Sequence, residues 1–136
     1  MARFIELAAA RDMIAAAEAR AAEIGVRASI VVLDHGGDLV AMARMDGAWA
    51  GAFDLAMGKA RTSRAFRAPS SAFVPLIQPG QPLFSVNSVG GGQYVILPGG
   101  LPLVVEGCLV GAVGASGGTP DQDTDIAEAA ASALRT

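Results

Sequence analysis

Residues Leu97–Gly118 read LPGGLPLVVEGCLVGAVGASGG. Two β-rich runs, Leu103–Val105 and Cys108–Ala115, flank the turn dipeptide Glu106-Gly107, which is the pattern of a β-hairpin. Glycine pairs stand at both ends of it, Gly99-Gly100 and Gly117-Gly118. Glycine carries no Cβ, so such a frame admits sharp turns and close backbone approach. A hairpin framed in this way predicts an antiparallel sheet packed closely against neighbouring elements.

Working outward, the chain after the hairpin starts a helix explicitly. Thr119 is an N-cap, Pro120 occupies the first helical position, and Gln122 completes a capping box. Before the hairpin, Gln93–Leu97 reads as a further strand. Residues 78–92, QPGQPLFSVNSVGGG, form a loop long enough to be a lid or binding segment. PSSAFVPLI ahead of it suggests a short helical turn capped by Ser70. Phe53, Ala56, Met57 and Ala60 mark a helix from Ala50 to Phe66, ended by Pro69. Ala28–Leu33 and Leu39–Met45 flank DHGGD and predict a first hairpin. At the N-terminus, Leu7, Ala10, Ile14, Ala17, Ala21 and Ile24 recur at steps of three and four, with Gly25 closing the helix. The order is α-ββ-α-(α)-βββ-α. Five strands joined by hairpins and flanked by helices predict an α+β fold with an antiparallel sheet. Residues 1–136 read as one domain, without repeats or linkers.

Composition limits the functions available. Hydrophobic residues make up 52% of the 136, yet aromatics only 5%, so the core is built from small side chains. The net charge is −3, with no basic cluster, which argues against nucleic acid and anionic membranes. No apolar run reaches the roughly 18 residues of a membrane span. Glu6 interrupts any secretory apolar stretch, and the single cysteine, Cys108, rules out an internal disulfide. These features predict a cytoplasmic protein. A core of Ala and Gly in so short a chain leaves apolar faces uncovered. A homo-oligomer is therefore expected, with a helix or the 78–92 loop at the interface.

Several residues carry chemistry beside an ordinary structural role. Gly114–Gly118 matches G-x-S-x-G, but the only histidine precedes the serine and the chain is too short for that hydrolase fold. A strand end leading into a helix accounts for those glycines. Gly117, Gly118 and Thr119 lie at a helix N-terminus, where free N–H groups favour an anion. His35 is either a solvated turn residue or an exposed axial ligand for haem iron. Lys59 is either a solvated flank or a partly buried amine of lowered proton affinity. Arg44, at a strand end, has a fork suited to a carboxylate. Tyr94 and Cys108 read as packed strand residues, and Glu106 as a hairpin tip.

VVLDHGGDLVAMARMDGA, KARTSRAF and the block from Pro98 to Leu134 together resemble the GlcG/HbpS family of haem-binding-like proteins, over roughly residues 5–134. The C-terminal domain of PduO-type proteins is similar. The resemblance implies a profilin- or PAS-like five-stranded antiparallel sheet with helices, homo-oligomers, and a small-ligand site for haem or a related tetrapyrrole. Family members often carry histidine where this chain has Asp38, which leaves His35 as the histidine for a metal. The family's glycine blocks map to Gly99-Gly100 and Ser116-Gly117-Gly118. With Arg44 and Lys59 they make the candidate site for a small anionic ligand, between sheet and helix. The alternative is a cofactor-independent enzyme (an isomerase, tautomerase, lyase or hydrolase) on a small carboxylate-bearing metabolite. There Lys59, Asp46 and Glu106 would move protons.

Overall fold

The computed structural model describes residues 4–134. It contains α1 (Leu7–Glu23), β1 (Ser29–Asp34), β2 (Leu39–Arg44), α2 (Ala50–Phe66), a 3-10 helix (Ser70–Leu76), a short 3-10 turn (Val86–Ser88), the single-turn α3 (Val89–Gly92), β3 (Gly100–Val105), β4 (Cys108–Ser116) and α4 (Pro120–Ser132). The sheet has four strands in the order β2-β1-β4-β3, and every pair is antiparallel.

Strand alternation decides which helix covers which face. Ile30, Val32, Val113 and Ala115 point to one side, where Ala10, Met13, Ile14 and Ala17 of α1 and Ile126 and Ala127 of α4 meet them. Val31, Leu33 and Ala112 point to the other side, against Ala56 and Ala60 of α2. The central strands β1 and β4 are thus buried on both faces, while β2 and β3 form the edges. Small residues permit this closeness. A Cβ at Gly114 would lie 2.0 Å from the Ala56 carbonyl oxygen, and one at Gly100 would lie 2.3 Å from that of Lys59.

Among the described residues the expected fifth strand is absent. Gln93–Leu97 was expected to join the sheet, but its backbone is satisfied elsewhere. The Val95 N–H donates to the Gly58 carbonyl (3.3 Å), and Thr62 Oγ1 donates to the Val95 carbonyl (3.0 Å). Ser70 Oγ donates to the Leu97 carbonyl at 2.6 Å. The segment therefore follows α2, burying Ile96, instead of extending the ladder. Ser70 is likewise no helix cap: it is the first 3-10 residue, and its hydroxyl also accepts from the Gly100 N–H at 2.9 Å. The helix α2 stops before Pro69, at Arg67, whose φ of 57° is left-handed and whose N–H donates to the Ser63 carbonyl. The α4 capping box forms as read: Thr119 N–H donates to Gln122 Oε1, and Gln122 N–H donates to Thr119 Oγ1. Among the described residues no helix is long and apolar enough to cross a membrane.

Candidate functional site

The register sorts the candidate residues onto two ends of the sheet. Asp34 pairs with Gly111 at one end, and Ser29 pairs with both Ser116 and Arg44 at the other. His35, in the β1–β2 turn, and Glu106, in the β3–β4 turn, share the first end. Arg44, Asp46, Gly99, Gly100, Ser116, Gly117 and Gly118 lie at the second. Lys59, Asp46 and Glu106 are therefore not assembled into one cluster. Arg44 and Ser116 sit on outer and inner strands with β1 between them, about 10 Å apart by strand spacing.

At the second end the structure gathers Lys59, Gly99, Gly100 and Gly118, and adds Asp123. Lys59 is 2% exposed. Its ammonium donates to Asp123 Oδ2 (2.9 Å) and to the Ala115 carbonyl (3.0 Å). Asp123 Oδ1 accepts from the Gly118 N–H at 2.8 Å. Two glycine N–H groups of the frame are thus occupied, Gly118 by Asp123 and Gly100 by Ser70. A Cβ at Gly99 would fall 2.6 Å from the Ala115 oxygen and 3.0 Å from Lys59 Nζ. The glycine is what lets the lysine pass the sheet edge from α2 to the first turn of α4. Burial pushes the Lys59 pKa below its ordinary value, and the pairing with Asp123 opposes that in part. The sequence signals Asp123 only as an acid suited to a helix dipole. Nothing local says that it turns inward to a lysine.

Two further residues differ from the sequence reading. Cys108 is exposed, because it begins β4 directly after the turn. Tyr94 is off the sheet and packs edge-to-face on Phe66, with ring centroids 5.2 Å apart; Phe73 meets the same ring at 5.5 Å.

On its α2 side the first end carries a cluster of arginines. The exposed His35 lines a crevice of about 160 Å³ with Arg64, Arg67 and Leu109. An adjoining crevice of about 120 Å³ lies between Arg61, Arg64, Gln93 and Tyr94. Arg61, Arg64 and Arg67 follow at steps of three, so α2 and its C-cap carry them on neighbouring positions. Arg64 Nε donates to the His35 carbonyl at 3.0 Å, which ties the turn to the helix. Charge counting along the chain missed this cluster, since acidic residues outweigh it, Asp34 and Asp38 of the His35 turn among them. Helical spacing within KARTSRAFR was the available signal. An exposed imidazole beside three guanidiniums fits haem chemically. The imidazole would hold the iron, and the guanidiniums would complement the propionates.

Fold and surface define a class: a small α+β domain with a four-stranded antiparallel sheet, helices on both faces, and crevices where the sheet ends. Within that class the chain belongs to the family of haem degrading protein HbpS-like domains, whose model matches residues 5–132. It is 41% identical over 126 residues to an uncharacterized 15.0 kDa protein of the dhaT-dhaS intergenic region of Citrobacter freundii, covering 93% of this chain and 89% of that one. It superposes on Klebsiella pneumoniae protein ORFY with a TM-score of 0.96 at 34% identity, covering 98% and 92% of the two chains. It superposes on PduOC in complex with haem with a TM-score of 0.93 at 30% identity, covering 98% and 96%.

Proposed function

We propose that this domain binds haem at the His35 crevice. The observation that carries the reading is the exposed imidazole sharing one crevice with Arg64 and Arg67, with Arg61 next to it. Kinship to the haem complex of PduOC and to HbpS-like proteins supports it. Haem, when bound, supplies a redox-active iron. His35 would hold that iron through a ring nitrogen, and Arg61, Arg64 and Arg67 would hold the propionates through charge-assisted hydrogen bonds. The bond from Arg64 to the His35 carbonyl holds the turn in place for ligation.

Titration with haemin tests this. A Soret band is expected with the wild type. His35→Ala shifts that band and weakens binding at least about tenfold, the equivalent of one lost charge-scale contact. Arg67→Ala, which leaves the bond from Arg64 to the His35 carbonyl in place, weakens binding but keeps the wild-type ligation spectrum. A His35→Ala protein with an unchanged spectrum and affinity overturns the assignment.

The domain also self-associates in this reading. Phe84 (58% exposed) and Val89 (55%) present apolar surface from the 78–92 segment, and Trp49 (65%) does so ahead of α2. Light scattering at micromolar concentration is expected to give a multiple of the chain mass. A monomer mass removes this part of the proposal.

A further inference from the structure

A second cleft opens at the end of the sheet away from His35, between the C-terminal half of α1 and the exit of β2. Its volume is about 540 Å³, within the range of small-molecule sites. Glu18, Arg27, Arg44 and Asp46 line it, with Ala22 and Val26 supplying apolar surface. The charges in it do not neutralise one another. Among the described residues no ion pair joins either carboxylate to either guanidinium. The Arg44 side chain makes no hydrogen bond to any described residue, whereas that of Arg20 on α1 is engaged with Asp125 and Glu23.

Arg27 is held in place. Its Nη1 donates to the Asp46 carbonyl at 2.9 Å, and its side chain lies across Gly47, where a Cβ would come within 2.8 Å of Cδ. Gly47 has a φ of +84°, so the turn that fixes the guanidinium needs glycine on both counts. A fork preset in this way loses little freedom on donating to a ligand oxygen.

We infer that this cleft binds a small zwitterion bearing one carboxylate and one ammonium group, an apolar amino acid being the simplest. Arg44 and Arg27 donate to the carboxylate, Glu18 and Asp46 accept from the ammonium, and Ala22 and Val26 meet the side chain. A ligand with only one charge would leave the opposite pair of groups in the cleft without a partner. The inference is independent of haem binding, which uses the other end of the sheet.

The test is binding of leucine to the intact protein by titration calorimetry, beside its single-charge analogues 4-methylpentanoate and isoamylamine. Leucine is expected to bind, with each analogue at least tenfold weaker. Arg44→Ala and Glu18→Gln are each expected to weaken leucine at least tenfold. Both leave circular dichroism and haemin titration unchanged, since Arg44 is exposed and Glu18 keeps its shape. The inference is overturned if leucine fails to bind, if an analogue binds as well as leucine, or if both variants retain wild-type affinity. A haemin titration that fails in the wild type refutes the His35 site alone.

Discussion

Lys59→Met is expected to lower stability by about 3–5 kcal/mol, because it leaves the Asp123 carboxylate buried without its counter-charge. At this chain length the loss corresponds to roughly 10–20 °C in melting temperature. Methionine matches the lysine stem in length and packs in the same channel, so lost volume contributes little. The geometry also predicts the rescue. Asp123→Asn removes the buried charge while its amide oxygen still accepts from the Gly118 N–H, the bond that Asp123 Oδ1 makes now. The double variant Lys59→Met/Asp123→Asn should therefore recover most of the loss. Thermal denaturation of the wild type, both single variants and the double variant gives the coupling directly. A Lys59→Met protein melting with the wild type would show that the pair contributes nothing.

Gly114→Ala is expected to cost about 3 kcal/mol or more, at or beyond the upper end of ordinary overpacking. The new Cβ would stand 2.0 Å from the Ala56 carbonyl oxygen and 3.0 Å from the Ala60 nitrogen. Those are helix backbone atoms, so no side chain can swing aside. Relief requires lifting α2 off the sheet, which would also expose Val31 and Leu33. Gly51→Ala on the first turn of the same helix is the control. Nothing lies within 4 Å of its Cβ position, so alanine should stabilise there, by up to about 1 kcal/mol. Denaturant titration of the two variants checks the contrast. Equal midpoints for Gly114→Ala and wild type would mean that the helix is not seated as described.

Local rules account for much of this molecule. Alternation and turn dipeptides placed both hairpins, and the two turns of those hairpins occur where DHGGD and Glu106-Gly107 stand. Helical spacing placed Ala10, Ile14, Ala17 and Ala21 on the buried side of α1. The N-terminal cap of α4 is a four-residue hydrogen-bond pattern and is legible as such. Gln93–Leu97 escaped the same rules because its pattern is that of a strand. Whether an extended segment joins a sheet depends on which partners reach its N–H and C=O groups, and here Gly58, Thr62 and Ser70 reach them first.

The glycine frame shows the division most plainly. Sequence alone marked Gly99, Gly100 and Gly117 as places where the backbone has room for a close approach, and Gly114 was read only as part of a strand end. Tertiary structure decided what comes close: the carbonyls of Lys59 and Ala56 from α2, that of Ala115, and that of Arg27. It also decided that Lys59 meets Asp123, 64 residues later, and that His35 meets Arg64, 29 residues later. Turns and caps are written in neighbouring residues because their hydrogen bonds close within a few positions. Ion pairs and crevices form between elements whose docking is set by the whole buried surface, so their membership is fixed only once the helices lie on the sheet.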